Sequence, residues 1–181
     1  GDWGAILERA DWRQRLCALR RGTSPTILAN LATWLADRVE AQSFEATDGW
    51  QSIETLFPNY RTLATGLRRT RNLSDRVRRV KLLHFGTPPE PTDMVLSVEV
   101  AAEPDNRLGI RVQLHPGGET PYLPEQTVLS LLGKDEAVLQ SVQARSQDNF
   151  IQIQRFKCPP GTPFSLRVEW SGQSIVEAFT S

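Results

Sequence analysis

Few side chains in this sequence are suited to chemistry, and they are scattered. The chain has two histidines, His84 and His115, and two cysteines, Cys17 and Cys158. Histidine is the usual general base near neutral pH. A base needs an activated nucleophile, and no GxSxG elbow is present. A structural zinc takes about four convergent Cys, His or carboxylate ligands. The four soft candidates are not paired at ligand spacing, and no CxxC occurs. "EPDN" (103–106) and "GKDE" (133–136) are too short and too sparse for a calcium loop, so they read as turns. Neither a GxGxxG nor a Walker sequence offers a phosphate cradle. The expectation is therefore no catalytic residue, no metal and no cofactor. The tripeptide Asn72-Leu73-Ser74 matches a glycosylation sequon and is taken as chance.

Two polar stretches carry more information. "ARSQDNFIQIQRF" (144–156) sets five polar residues ahead of an alternating run. Asp148 and Asn149 can bond nearby backbone and tolerate left-handed geometry, and Arg145 can reach a carboxylate or a strand carbonyl. Arg145, Asp148 and Asn149 are assigned to a structural turn at a sandwich corner, in preference to a partner contact. Ile151 and Ile153 then point to the core. Phe156 falls out of phase with them, which calls for either a bulge or a switch of face. The second stretch is a basic run from Arg61 to Lys81, broken only by Asp75. Within it Arg68, Arg69, Arg71 and Arg76 are assigned to contact with an acidic protein partner. Nucleic acid is the weaker reading, because Tyr60 and Phe85 flank the run without interleaving.

These stretches must be held by a scaffold, and the hydrophobic period changes along the chain. "WGAILERADWRQRLCALRRG" (3–22) has helix-like spacing and stops at a glycine. "TSPTILANLATWLADRVEAQ" (23–42) predicts a second helix, with Thr23 or Ser24 as cap and Pro25 in the first turn. "TDGWQSIETLF" (47–57) predicts a third, capped by Asp48 and ended by Pro58. From about residue 77 the period becomes 2. "RVRRVKLLHF", "MVLSVEVA", "LGIRVQLH", "TVLSLLG", "AVLQSVQA", "NFIQIQRF", "FSLRVEW" and "SIVEAF" read as strands separated by turn residues. Strands with one apolar face must stack as two sheets. The expected fold is α+β: an N-terminal helical segment of two or three helices, then an antiparallel Ig-like β-sandwich of seven to eight strands. The expected domains are a helical subdomain at 1–60, a basic connector at 61–76 and the sandwich at 77–181.

The bulk numbers fit such a fold. The chain has 181 residues, and 39% of them are hydrophobic, enough to bury a core. Lys plus Arg and Asp plus Glu are 21 each, a balance that disfavours a dedicated nucleic-acid binder. No apolar run approaches the roughly 20 residues of a membrane span, and no leader pattern opens the chain. Two unpaired thiols fit a reducing compartment, and the expected location is cytoplasmic.

Several of these pieces resemble the C-terminal part of the cyanobacterial DUF1822 family. The likeness is carried by Ile110 to Pro116, Tyr122 to Pro124, Arg145 to Gln152, Pro160 to Phe164 and Val176 to Phe179. In the earlier region it is carried by Trp34, Leu35, Gly49, Trp50, Gln51, Glu54, Leu56 and Phe57. The resemblance implies a longer protein with a further N-terminal region, and gene neighbours connected with signalling and transcription. It implies no activity and no catalytic residue. Taken together, the expected function is a non-enzymatic protein-interaction module, an adaptor or regulator in bacterial signalling or transcription control. The alternative is a carbohydrate-binding sandwich that uses Tyr122, Phe150 or Trp170.

Overall fold

The computed structural model describes residues 28–36, 49–52, 55, 76–87 and 91–181. Its long strands follow from alternation. In β4 (Thr92–Ala102), Met94, Leu96, Val98 and Val100 are all fully buried on one side. In β5 (Leu108–Pro116), Ile110, Val112 and Leu114 do the same. These rows face their counterparts on β9 (Pro163–Trp170), where Phe164, Leu166 and Val168 are buried. The remaining strands are β1 (Ala29–Asn30), β2 (Gln51–Ser52), β3 (Arg76–Phe85), β6 (Val128–Leu132), β7 (Val138–Gln143), β8 (Ile151–Cys158) and β10 (Gln173–Thr180). One sheet, here sheet A, has the order β1-β10-β9-β6-β7, and sheet B has the order β2-β3-β4-β5-β8. All pairings are antiparallel except that of β1 with β10. One hydrophobic core joins the two sheets. After β5 the chain changes sheet three times, at β5 to β6, β7 to β8 and β8 to β9, while β5 pairs with β8 and β6 with β9.

The tight turns match their residues. Ser171 and Gly172 both have positive φ (50° and 77°) between the paired Trp170 and Gln173, the two-residue hairpin that twisted strands favour. In the loop after β4, Asn106 takes the left-handed position, and its N–H donates to Glu103 O at 3.1 Å. Glu136 takes the same place between β6 and β7.

The α+β expectation is overturned. Among the described residues strands dominate; the helical ones are α1 (Leu31–Ala36), six residues long, and Thr55. The predicted helix at 3–22 lies outside the described residues. The second predicted helix is partly replaced by strand: Ala29 and Asn30 pair with Phe179 and Thr180. Asn30 supplies the cap within the described part of that segment, its Oδ1 accepting the Ala32 N–H at 3.0 Å and the Thr33 N–H at 3.4 Å. Where the third helix was predicted, Gln51 and Ser52 pair with Val80 and Arg79, while Thr55 is helical. Leu31, Trp34 and Trp50 are nonetheless buried in the shared core. The backbone around Ala29 and Gln51 instead satisfies its hydrogen-bonding groups on the free edges of β10 and β3, which overrides local propensity. The expected boundary at 60 and the connector at 61–75 lie outside the described residues, and Arg76 begins β3.

An aromatic seam fixes this arrangement. Trp34 and Trp50 lie 5.3 Å apart and both meet Phe179, at 6.3 and 5.4 Å. Phe179 stacks on Phe164 at 5.2 Å, and Phe164 meets Phe156 of sheet B edge-on at 5.5 Å. Phe156 reaches the core because the β5–β8 register shifts between Ile110 and Val112. The bulge therefore resolves its out-of-phase position. The Phe179→Ala substitution is expected to destabilise the fold by about 3–5 kcal/mol, read as a lower urea midpoint. Val176→Ala, at an exposed site on the same strand, is expected to change stability by less than about 0.5 kcal/mol.

Candidate functional site: the outer face of sheet B

Alternation that buries one row of each strand displays the other. On sheet B the outer rows run straight across the strands. Arg78, Glu99 and Arg111 share one row; Val80, Ser97 and Gln113 share the next, with Gln152 beside them. Leu82, Val95 and His115 follow, then His84 and Asp93. The middle of this face, Val80, Val95 and Ser97, is buried. The polar chemistry therefore stands at the two ends.

One end is cationic. Glu99 accepts from Arg78 Nη2 at 2.6 Å, and Arg76 Nη1 and Arg111 Nη1 lie 3.5 and 4.0 Å from its carboxylate. Three guanidinium groups thus share one carboxylate. The Nε of Arg111 is buried without a hydrogen-bond partner. Beside them Arg155 and Lys157 both pair with Glu103, Lys157 at 2.9 Å. Gly109 lies between, and a Cβ there would collide with the Glu103 carboxylate and the Arg155 guanidinium. The Lys157 hydrogen bond, joined by the charges of Arg155 and Lys157, holds the Glu103 carboxyl below the usual carboxylate range. Among the described residues, five cationic side chains thus pair with Glu99 and Glu103 at this end, with Asp105 nearby.

The other end is aromatic and carries both histidines. His84 Nδ1 lies 2.7 Å from Asp93 Oδ1, and the ring is exposed. His115 stacks on Phe150 at 5.5 Å, and Phe150 is itself exposed. Burial, seconded by the positive charge of Arg78, pushes the His115 pKa below its ordinary value of 6.5. Neither histidine has a hydroxyl or thiol nucleophile among its recorded hydrogen-bond partners. Among the described residues, no group of three or more His, Cys, Asp or Glu side chains could hold a metal ion.

The Arg145–Asn149 stretch is a corner. Asp148 Oδ2 accepts the Arg145 N–H at 2.8 Å, and the Asp148 N–H donates to Arg145 O at 3.2 Å. The left-handed residue is Gln147 (φ 69°), where Asp148 and Asn149 were the expected ones. The Asp148 carbonyl accepts the Leu123 N–H at 2.8 Å. This brings the Tyr122–Pro124 step against the corner, and Gln113 Nε2 donates to Gln152 Oε1 at 2.8 Å alongside. Three of the stretches that carry the family likeness therefore meet at one place. The corner leaves Tyr122 and Phe150 exposed.

Of the residues assigned to partner contact, Arg76 lies in the cationic end, while Arg68, Arg69 and Arg71 lie outside the described residues. Arg78 and Arg111 were legible as outward residues of alternating strands. Glu99, which gathers them, was not, because it comes from a different strand. Cys158 is free and buried; burial raises its thiol pKa, partly offset by a hydrogen bond with Ser181. No helix among the described residues is long and apolar enough to cross a membrane.

A model of a family described as "Protein of unknown function (DUF1822)" matches residues 1–180. The chain belongs to that family, and the match extends upstream of Trp34, the first residue that carries the likeness read from the sequence. No curated protein and no solved structure matches the chain.

Two measurements test this geometry. Asp148→Ala is expected to cost about 1 kcal/mol through the lost cap on Arg145 N–H, with Asp148→Asn recovering part, by chemical denaturation. His115 is expected to titrate below 6.5 by NMR. Because its folded pKa is depressed, its contribution to stability is present above 6.5 and is lost as pH falls through the folded value. His115→Gln is expected to remove that component of the pH dependence.

Proposed function

We propose that this chain is a non-enzymatic protein-interaction module that engages an acidic partner surface through the cationic end of sheet B. The observation that carries this reading is the sharing of Glu99 by Arg76, Arg78 and Arg111 beside Arg155 and Lys157. Guanidinium groups match carboxylates in a planar, two-pronged geometry, and among the described residues Arg76, Arg78, Arg111, Arg155 and Lys157 gather around Glu99 and Glu103. A charge excess on a rigid sheet raises association rate and selectivity more than bulk affinity. Within this class we read the role as an adaptor or regulator in bacterial signalling or transcription control, acting in the cytoplasm. The whole-chain family match supports that reading only through the resemblance that suggested it.

The test is native co-purification with identification by mass spectrometry, comparing the unaltered chain with Arg76→Ser plus Arg111→Ser. Circular dichroism should confirm that both are folded. A protein with an acidic surface is expected to be retained by the former, with retention falling on the order of tenfold in the variant and declining with added salt. An unchanged partner set in the variant would sink the proposal.

One observation favours the carbohydrate reading as a second choice. Trp170, half-buried against Phe85 at 6.4 Å, lines a cleft of about 570 Å³ with Glu125, Gln126, Glu169 and Gln173. An indole beside carboxylate and amide groups is the composition that sugar sites use. Oligosaccharide titration followed by tryptophan fluorescence is expected to show a saturable change that Trp170→Phe abolishes. A flat titration across a glycan panel would discard this reading.

A further inference from the structure

The geometry points to a separate binding site for a medium-chain fatty carboxylate, in the apolar cleft between β7 and β8 where the two sheets part. The cleft holds about 500 Å³, within the roughly 300–1,000 Å³ of small-molecule sites. Leu131, Phe156, Phe164 and Cys158 line its inner part and belong to the buried core or pack against it. Leu139 stands over the cleft with 62% of its surface exposed, although it is one of the larger aliphatic side chains. It occupies the irregular step of the β6–β7 pairing, where Leu131 pairs with Gln140 but Leu132 pairs with Val138. That extra residue turns Leu139 off the regular face and over Gly133, where a Cβ would lie 3.5 Å from the Leu139 Cδ1.

The rim supplies the charge. Lys157 lines the cleft, but its ammonium is tied to Glu103. Lys134 also lines the cleft and has no ion pair among the described residues. The thiol of Cys158 is held neutral by its burial, so it adds no charge to the floor. An apolar slot with one uncommitted ammonium at its mouth fits an unbranched chain ending in a carboxylate. The chain would fill the space beneath Leu139 and the carboxylate would meet Lys134. Each methylene taken from water adds to affinity until the cleft is full.

The experiment is displacement of a hydrophobic dye, anilinonaphthalene sulfonate, from the full chain by hexanoate, decanoate and decyltrimethylammonium. Decanoate is expected to compete more strongly than hexanoate, and the cationic amphiphile least. Lys134→Glu is expected to weaken decanoate on the order of tenfold while leaving decyltrimethylammonium unweakened. Gln140→Trp, at a half-buried edge position facing the cleft, is expected to fill it and abolish competition with the circular dichroism spectrum unchanged. The proposal fails if decanoate does not displace the dye, if folded Gln140→Trp binds decanoate normally, or if the two amphiphiles compete equally. It fails too if the protein instead sediments with phosphatidylglycerol vesicles and ignores free decanoate.

Discussion

Everything in this fold leans on the contact between Phe179 and Phe164. The two rings stack 5.2 Å apart on neighbouring strands of sheet A, and from them aromatic contacts spread in both directions. Toward the N-terminal segments they meet Trp34 and Trp50; toward sheet B they meet Phe156. Aromatic pairs add to plain area burial when they meet edge-on or offset. A two-residue strand and a six-residue helix have no independent stability in water. β1, α1 and β2 are held because their tryptophans are inserted into this seam. Arg79 lies over Trp34 at 5.4 Å and Lys81 over Trp50 at 5.9 Å, with Lys81 also bound to Glu177 of sheet A at 2.8 Å. Two cations that alternation turns toward the inside of the sandwich are thus accommodated on ring faces.

With the inner rows committed to the core, the polar parts of the outer faces are left for recognition, and they differ. Sheet B carries the guanidinium cluster around Glu99. The matching row of sheet A has Arg167 paired with Glu169 at 3.2 Å, among serines and small aliphatic side chains. Among the described residues the cationic cluster lies on the outer face of sheet B, although the chain as a whole is neutral. A balanced composition excludes a uniformly basic protein but not a polarised one.

The long strands were legible because a period of 2 needs only the sequence, and so were the turns at 103–107, 133–137 and 171–172. The position of Phe156 called for either a bulge or a switch of face, and the register shift between Ile110 and Val112 decides for the bulge. The short elements were not legible. "NLATWLADRVEAQ" and "GWQSIETLF" have helical spacing, yet what decides the state of Ala29 and Gln51 is an open strand edge more than 20 residues away. Sequence periodicity carries no information about such an edge. The candidate site was half visible for the same reason. Each arginine could be read as outward-facing, but their convergence on Glu99 depends on the register between β3, β4 and β5. The corner at Arg145 was readable because Asp148 acts on a backbone group three residues away, a local interaction that sequence does encode.

The parallel pairing of β1 with β10 has a kinetic meaning. The β9–β10 hairpin closes across two residues, Ser171 and Gly172, whereas β1 must travel from residue 29 to meet residue 179. Chain entropy makes the first closure fast and the second the most demanding in the molecule. The hairpin is therefore a natural early template, and β1 docks onto an edge that already exists. A strand that arrives last and contributes two residues is also the first to leave. Because Leu31, Trp34 and Trp50 belong to the core that the two sheets share, the docking of β1 and α1 is also the step that completes that core.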